Sequence, residues 1–335
     1  MNKETILITG GTGFIGSNLA KSLLRSGHRV IILDDLSRSS PDAIRECYIF
    51  SPDFLFVRGS VLDFDVIDGV MRNADVVFHL AAQVHWEESI DHPVDSFQIN
   101  TMGTLNVLES LRRNTCKSNP VKLMLYASSS EVYGTAQYVP MDEKHPFNPQ
   151  SPYAAGKAAA DRLCSAYYHV YKLPIVILRQ FNTYGPGQRL KGYSAVVPKF
   201  ISQVLSNSPP TIYGNGDQTK DFHYIDDLIS AYFLILEKWR DLDIFGQSIN
   251  FGTGAETSIN RLADVILDEA SKKLGKPFKD SLKPVHLPPR PGEVMRFAAD
   301  ISLAKAKLGF EPKVKIEQGI AKHIQWFIDN QIGTG

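Results

Sequence analysis

Cysteine is scarce in this sequence: Cys47, Cys116 and Cys164 are the only three in 335 residues, odd in number and far apart. They form neither a disulfide framework nor a zinc-ligand spacing, and they fit a reducing compartment. A surplus of one charge sign is also missing, since Lys+Arg and Asp+Glu both number 36. Without a basic footprint the chain does not read as a nucleic-acid binder, and any anionic ligand must be met by local groups. The apolar runs are too short for a membrane-spanning helix, which needs about 18 or more such residues. The first of them, Thr5–Thr9, is too short for a secretory signal and ends in glycines that belong to the fold. The histidines show no metal-ligand spacing. These absences point to a cytoplasmic protein without a metal, a nucleic-acid partner or a membrane.

What is present is ordinary for a folded enzyme, with 43% hydrophobic and 21% charged residues. Short β-rich runs alternate with longer helical segments. Ile6–Ile8, Val30–Leu33, Phe54–Val57, Val76–Leu80, Lys122–Tyr126 and Ile175–Leu178 read as six strands, apolar on both faces. Such runs, separated by helices, predict an α/β fold of the Rossmann type: a doubly wound parallel sheet covered on both sides. Its ligands lie beyond the carboxyl ends of the strands. After about Arg179 glycine and proline become denser, and short helices are expected near 196–206, 226–239, 258–271 and 316–330. We therefore expect a dinucleotide-binding domain over residues 1–180. A smaller region over 181–335 would bind a second ligand, with some chain crossing between the two, and its last residues, Gly333-Thr334-Gly335, should be frayed.

Thr9-Gly10-Gly11-Thr12-Gly13-Phe14-Ile15-Gly16 sits between the first strand and the first helix. Gly10, Gly13 and Gly16 permit a tight turn, close approach of backbone to a pyrophosphate, and packing of helix on strand. The N–H groups of the helix start, at Phe14, Ile15 and Gly16, face that anion. The second strand ends in Asp34-Asp35, placed to accept hydrogen bonds from an adenosine ribose and to repel a 2′-phosphate. NAD is therefore expected over NADP, although Arg38 nearby works against that preference.

The fifth strand runs into Ser128-Ser129-Ser130-Glu131-Val132-Tyr133-Gly134, and Ser151-Pro152-Tyr153-Ala154-Ala155-Gly156-Lys157 opens a long helix. Tyr153 and Lys157, four apart, share a helix face. A nearby ammonium would stabilise the phenolate and lower its pKa, letting Tyr153 take a proton from an alcohol as hydride leaves the same carbon.

With these pieces the chain resembles the extended short-chain dehydrogenase/reductase family, the NAD-dependent nucleotide-sugar epimerases and dehydratases. The resemblance spans nearly the whole sequence. It includes His79-Leu80-Ala81-Ala82, Asn100 with Gly103-Thr104, and Arg179 to Pro186. It continues through Asp221-Phe222-His223-Tyr224-Ile225-Asp226-Asp227 and Arg290-Pro291-Gly292-Glu293. It implies that Ser129 binds the sugar hydroxyl being oxidised, Tyr153 is the base, and Lys157 holds the nicotinamide ribose. Leu80, Ala81, Ala82, Gln83, Asn100 and Gln180 would line the cofactor. Ser60 stands where many relatives carry an acid for the adenine amino group, leaving the Val61 backbone to serve. A nucleotide-diphosphate sugar would meet Ser130, Asn182, Val197, Tyr213, Lys220, Arg290 and Glu293. Lys220 replaces a common arginine, so a bidentate fork on phosphate is lost there. The resemblance also implies a homodimer through a four-helix bundle of the helices near 103–115 and 154–170, with Leu105, Leu108, Leu111, Ala158, Leu163 and Ala166 as its apolar face.

Glu131 separates the possible reactions. A carboxylate there could remove the C5 proton once C4 is a ketone, after which water leaves from C6. That favours a 4,6-dehydratase. A 4-epimerase and, third, a uronate decarboxylase remain open, as does Glu131 acting only as a loop carboxylate in an ion pair. Trp86, Glu87 and Glu88 read as a partly exposed helix start.

Overall fold

The computed structural model describes residues 3–50, 52–116, 120–188, 195–290 and 293–332. Pro291, Gly292 and the terminal Gly333-Thr334-Gly335 lie outside them. The chain divides into two compact units, Met1–Val132 with Ser151–Gln180 and Tyr232–Ile249, and Tyr133–Gln150 with Phe181–Ala231 and Asn250–Gly335. Each unit is built from three separate segments of the chain.

Six strands build the sheet of the first unit: β1 (Thr5–Thr9), β2 (Arg29–Asp34), β3 (Phe54–Arg58), β4 (Val76–His79), β5 (Leu123–Ser129) and β6 (Ile175–Gln180). They run in the order β6-β5-β4-β1-β2-β3, and all five pairings are parallel. Ser248–Phe251 adds a seventh strand, β7, at the β6 edge. Gly246 N donates to Ile175 O at 2.7 Å and Ile177 N to Gln247 O at 2.9 Å, which draws residues 246–249 back to the first unit. One expectation needs correcting: β3 is an edge strand, and Leu55 is 52% exposed rather than covered on both faces.

Strand order reverses between β1 and β4, so their carboxyl ends diverge at a topological switch point. Helices α1 (Phe14–Arg25), α2 (Phe64–Met71), α3 (Trp86–Asp91), α4 (Pro93–Phe97), α5 (Gly103–Asn114) and α6 (Pro152–Tyr171) complete the main elements of the unit, most of them set between strands. Asp63 caps α2 by accepting from Asp65 N and Val66 N. Ser151 caps α6 by accepting from Ala154 N, Pro152 follows it in the first turn, and the helix stops at Lys172 in the left-handed region. Leu7, Val77, Met124 and Ile177 from the sheet form one core with Ile67, Met71, Leu108 and Leu111 from α2 and α5. Cutting any of these leucines to alanine would cost about 2–5 kcal/mol. Leu108 and Leu111 therefore face inward and Leu163 packs on the same core, which corrects their assignment to an outer apolar face. The exposed apolar side chains of α6 are instead Val170 and Tyr171, near its end.

The second unit holds helices Val196–Leu205, Ile259–Leu274 and Ile316–Ile332, close to the bounds read from periodicity. Among the described residues three two-stranded sheets accompany them, one of them the parallel pair Asn182–Tyr184 and Phe222–Tyr224. The buried Asp221 carboxylate ties this unit together, accepting from Thr253 N, Thr253 Oγ1, Gly254 N and Ala299 N at 2.6–3.1 Å. Among the described residues no helix is long and apolar enough to cross a membrane, and no group of three His, Cys, Asp or Glu side chains could hold a metal.

Candidate active site

The carboxyl end of β1 turns sharply at Gly10, whose φ is +72°. A Cβ there would lie 2.7 Å from Ala81 N, and one on Gly16 would lie 2.3 Å from Gly10 O. Gly13 is the N-cap of α1 and has no side chain to satisfy the first-turn N–H groups of Phe14, Ile15 and Gly16. Bare backbone, packed this closely at a helix start, fits the pyrophosphate of a dinucleotide.

Asp34, at the end of β2, is buried and already holds three protein donors. Its Oδ2 accepts from Thr12 N at 3.1 Å; its Oδ1 accepts from Leu36 N at 2.9 Å and Ser39 Oγ at 3.1 Å. A carboxylate offers about four lone-pair directions, so the outer side of Oδ2 is left for a ribose hydroxyl. Asp35 is exposed and accepts from Ser37 N and Ser37 Oγ, closing its own turn. Arg38 forms an ion pair with Glu88 of α3. The Val61 carbonyl accepts from Asn106 Nδ2 at 3.0 Å, and Ser60 Oγ from Leu62 N at 3.3 Å.

Beyond β4, Leu80 N donates to Thr9 O and Ala81 N to Thr9 Oγ1, fixing this loop against the glycine turn. Asn100 holds the backbone of Gln83 on both sides, accepting from Gln83 N at 2.8 Å and donating to Gln83 O at 3.0 Å. Its role is to hold the Ala81–Gln83 wall. His79 lies beneath, hydrogen-bonded to Thr9 Oγ1 at 2.7 Å and Thr104 Oγ1 at 3.0 Å. Burial, and then the Lys157 charge, pull its pKa down to about 3, so it serves as a neutral strut. Gln180 at the end of β6 is buried and donates its amide to the Tyr232 hydroxyl.

Ser129 ends β5, and Ser130–Tyr133 continues as a single helical turn. Glu131 N donates to Ser129 Oγ at 3.2 Å, and the Glu131 carboxylate is half-buried. Tyr153 N donates to Ser89 Oγ at 3.1 Å, which anchors the start of α6 on α3. The structure brings Ser129, Glu131, Tyr153 and Lys157 together, but not with the expected electrostatics. Burial pushes the Tyr153 phenol up to about 12; a hydrogen bond with Ser129 opposes this and the Glu131 charge adds to it. Lys157 does not lower it. The ammonium donates to Ala127 O at 2.7 Å, and burial pulls its own pKa down to about 8. Spacing placed the two residues on one helix face; the Ala127 carbonyl near the end of β5 receives the lysine.

Sequence reasoning gave no role to Asp161 and Arg179. Asp161, one turn beyond Lys157, is fully buried and accepts from Arg179 Nε at 3.0 Å, Arg179 Nη2 at 3.1 Å and Ser128 Oγ at 2.8 Å. Burial pushes its carboxyl upward, but Arg179 and Arg162 outweigh this and hold it below the usual range. This ion pair locks β5, β6 and α6 directly beneath Ser129. An arginine closing an apolar strand was the signal.

In the second unit, Arg290 lays its guanidinium 3.6 Å from the Tyr213 ring centroid. Gln218 Nε2 donates to Tyr213 O at 2.9 Å and Glu293 Oε1 at 3.1 Å, so Tyr213, Arg290 and Glu293 are gathered. Asn182 Nδ2 reaches Asp221 O at 3.5 Å, and Lys220 Nζ lies 4.5 Å from the Phe297 ring centroid. The Val197 side chain is only 2% exposed, so what Val197 can offer a ligand is its backbone.

A switch-point glycine turn, an Asp closing the second strand, a Ser closing the fifth and a Tyr-x-x-x-Lys on the helix that follows define an extended short-chain dehydrogenase/reductase. Residues 7–323 match the profile of the GDP-mannose 4,6-dehydratase family, and the chain belongs to that family. It is 34% identical to a UDP-glucose 4-epimerase of Mycolicibacterium smegmatis over 323 residues, 96% of this chain and 97% of that protein. It is 32% identical to a dTDP-glucose 4,6-dehydratase of Streptomyces niveus over 332 residues, 97% of this chain and 93% of that protein. The dTDP-glucose 4,6-dehydratase DesIV of Streptomyces venezuelae, solved with NAD bound, superposes with a TM-score of 0.87 at 28% identity, covering 98% of each chain.

Proposed function

We propose that the protein is an NAD-dependent nucleotide-sugar 4,6-dehydratase. The observation that carries the reading is Glu131: a half-buried carboxylate whose own N–H rests on Ser129 and whose charge is felt by Tyr153. The glycine turn from Gly10 to Gly16, Asp34 and the Ala81–Gln83 wall would hold NAD, with Lys157 toward its nicotinamide ribose. When bound, NAD supplies the two-electron acceptor for C4 and the two-electron donor for C6. Ser129 orients the C4 hydroxyl, and Tyr153 accepts its proton as C4 becomes a ketone. The ketone acidifies C5–H, and the Glu131 carboxylate removes that proton. Ser130 is neutral and buried, so the proton taken from C5 is the one at hand for the hydroxyl leaving C6; as hydride returns to C6, C5 takes a proton from solvent, and Tyr153 returns to solvent the one it received. Arg290, Glu293, Asn182, Lys220 and Tyr213 in the second unit would bind the nucleoside diphosphate. We further propose a homodimer through the α5 and α6 region; a monomer by light scattering at micromolar concentration would refute it.

A second reading, 4-epimerase, is favoured by the identity to the Mycolicibacterium enzyme. Breakage of the C5–H bond separates the two. Turnover in heavy water should place deuterium at C5 and remove one water from the sugar. Glu131→Gln, which keeps shape but cannot take the proton, should oxidise C4 and stall with reduced nicotinamide absorbance. Full activity of Glu131→Gln without solvent label would leave the epimerase.

A further inference from the structure

Arg38 stands four residues beyond Asp34, on the loop that would meet the adenosine ribose. The backbone there is held firmly: Ser39, its neighbour, donates to Asp34 Oδ1 at 3.1 Å and is hydrogen-bonded to Thr12 Oγ1. The Arg38 side chain leaves this anchored loop and pairs with Glu88 in the first turn of α3. The two side chains are 28% and 24% exposed, so the pair is better shielded than an ordinary surface bridge. The Arg38 hydrogen bond, ahead of a further one from Gln83, holds the Glu88 carboxyl below its ordinary range. Gln83 is itself gripped by Asn100. Glu88 is therefore a fixed partner, not a passing one.

We propose that Glu88 is a cofactor-specificity residue: by holding Arg38 in an ion pair, it withholds the guanidinium from a 2′-phosphate and makes the Asp34 loop select a dinucleotide with a free 2′-hydroxyl. The inference rests on the reading of Asp34 as the ribose residue. A phosphate monoester carries about −1.5 to −2 charges at neutral pH. Entering this loop, it would meet the Asp34 and Glu88 carboxylates and an arginine already neutralised. Without the Glu88 charge, the planar fork of Arg38 becomes available for bidentate phosphate binding. An arginine whose sequence position works against NAD selectivity is thus converted by a residue 50 positions away into part of that selectivity.

The test is calorimetric titration of nucleotide-stripped protein with NAD and with NADP. Wild type should prefer NAD. Glu88→Gln should tighten NADP binding at least about tenfold, with NAD changing less than about threefold. Glu88→Asp, which keeps the charge, should retain the wild-type preference. The double variant Glu88→Gln/Arg38→Gln should lose the gain for NADP. The proposal is overturned if Glu88→Gln leaves NADP affinity unchanged, if both nucleotides weaken together, or if the gain survives removal of Arg38. Wild-type preference for NADP would overturn the Asp34 reading as well, whereas NAD preference with no effect of Glu88→Gln would sink this inference alone.

Discussion

Asp161→Asn removes one charge from a fully buried pair and leaves the other behind. The Arg179 side chain is 2% exposed, and two hydrogen bonds, at 3.0 and 3.1 Å, run from it to the two Asp161 oxygens. Asn keeps the volume but turns an NH2 toward one of these donors. Removing one partner of such a pair costs about 3–5 kcal/mol, or roughly 6–20 °C in melting temperature for a domain of 150–250 residues. Arg162, the other cation on Asp161, is 54% exposed, so Arg162→Ala should cost only about 0–1 kcal/mol. Replacing both buried partners, as in Asp161→Leu/Arg179→Met, should recover much of the loss because no lone charge remains. Thermal unfolding followed by circular dichroism checks the series. A melting temperature for Asp161→Asn no lower than for Arg162→Ala, or a double variant as unstable as the single one, would refute the reasoning. The same change should reach the chemistry: Asp161 raises the Lys157 pKa against burial, so the pH profile of turnover should move to lower pH.

Tyr153→Phe should lose about 10²–10⁴-fold in turnover while NAD binding, measured by titration, stays intact. Gly10→Ala forces a Cβ to 2.7 Å from Ala81 N at a φ of +72°, and NAD binding should be lost in calorimetry even where the chain still folds. His79, His223 and His323 are each pulled down to about 3 by burial. The unfolded chain therefore binds more protons below about pH 6.5, and stability is complete above that pH and falls toward pH 3. Each histidine contributes a slope of about 1.4 kcal/mol per pH unit; urea midpoints equal at pH 7 and pH 5 would contradict it.

The sheet was largely legible because its interior strands are apolar on both faces, a pattern that parallel strands buried by helices must show. Where the sequence misled, the strands lie at the edges. Phe54–Arg58 carries an exposed Leu55, and Ser248-Ile249-Asn250-Phe251 alternates polar with apolar and is too short to declare itself. The outer face assigned to Leu108 and Leu111 failed for a related reason. Helical spacing shows that a stripe exists, but not which neighbour it packs against, and here it meets the core shared with α2.

At the site, residue types and spacing single out Ser129, Glu131, Tyr153 and Lys157 as the candidate set, because the proposed chemistry fixes which side chains it needs. Charge could not be read the same way, since it depends on atoms brought together by the fold. Ala127 O captures Lys157, and Asp161 meets Arg179 from 18 residues away. Burial pushes the Tyr153 phenol up to about 12, where spacing alone leads one to expect Lys157 to lower it. Bringing it down about four units requires roughly 5–6 kcal/mol of added stabilisation of the phenolate. Lys157 as it stands, hydrogen-bonded to a carbonyl, does not supply that. Loading of the site must either swing the ammonium away from Ala127 or bring positive charge of its own. A base that is activated only in the loaded site stays protonated, and chemically idle, until there is a substrate hydroxyl to receive.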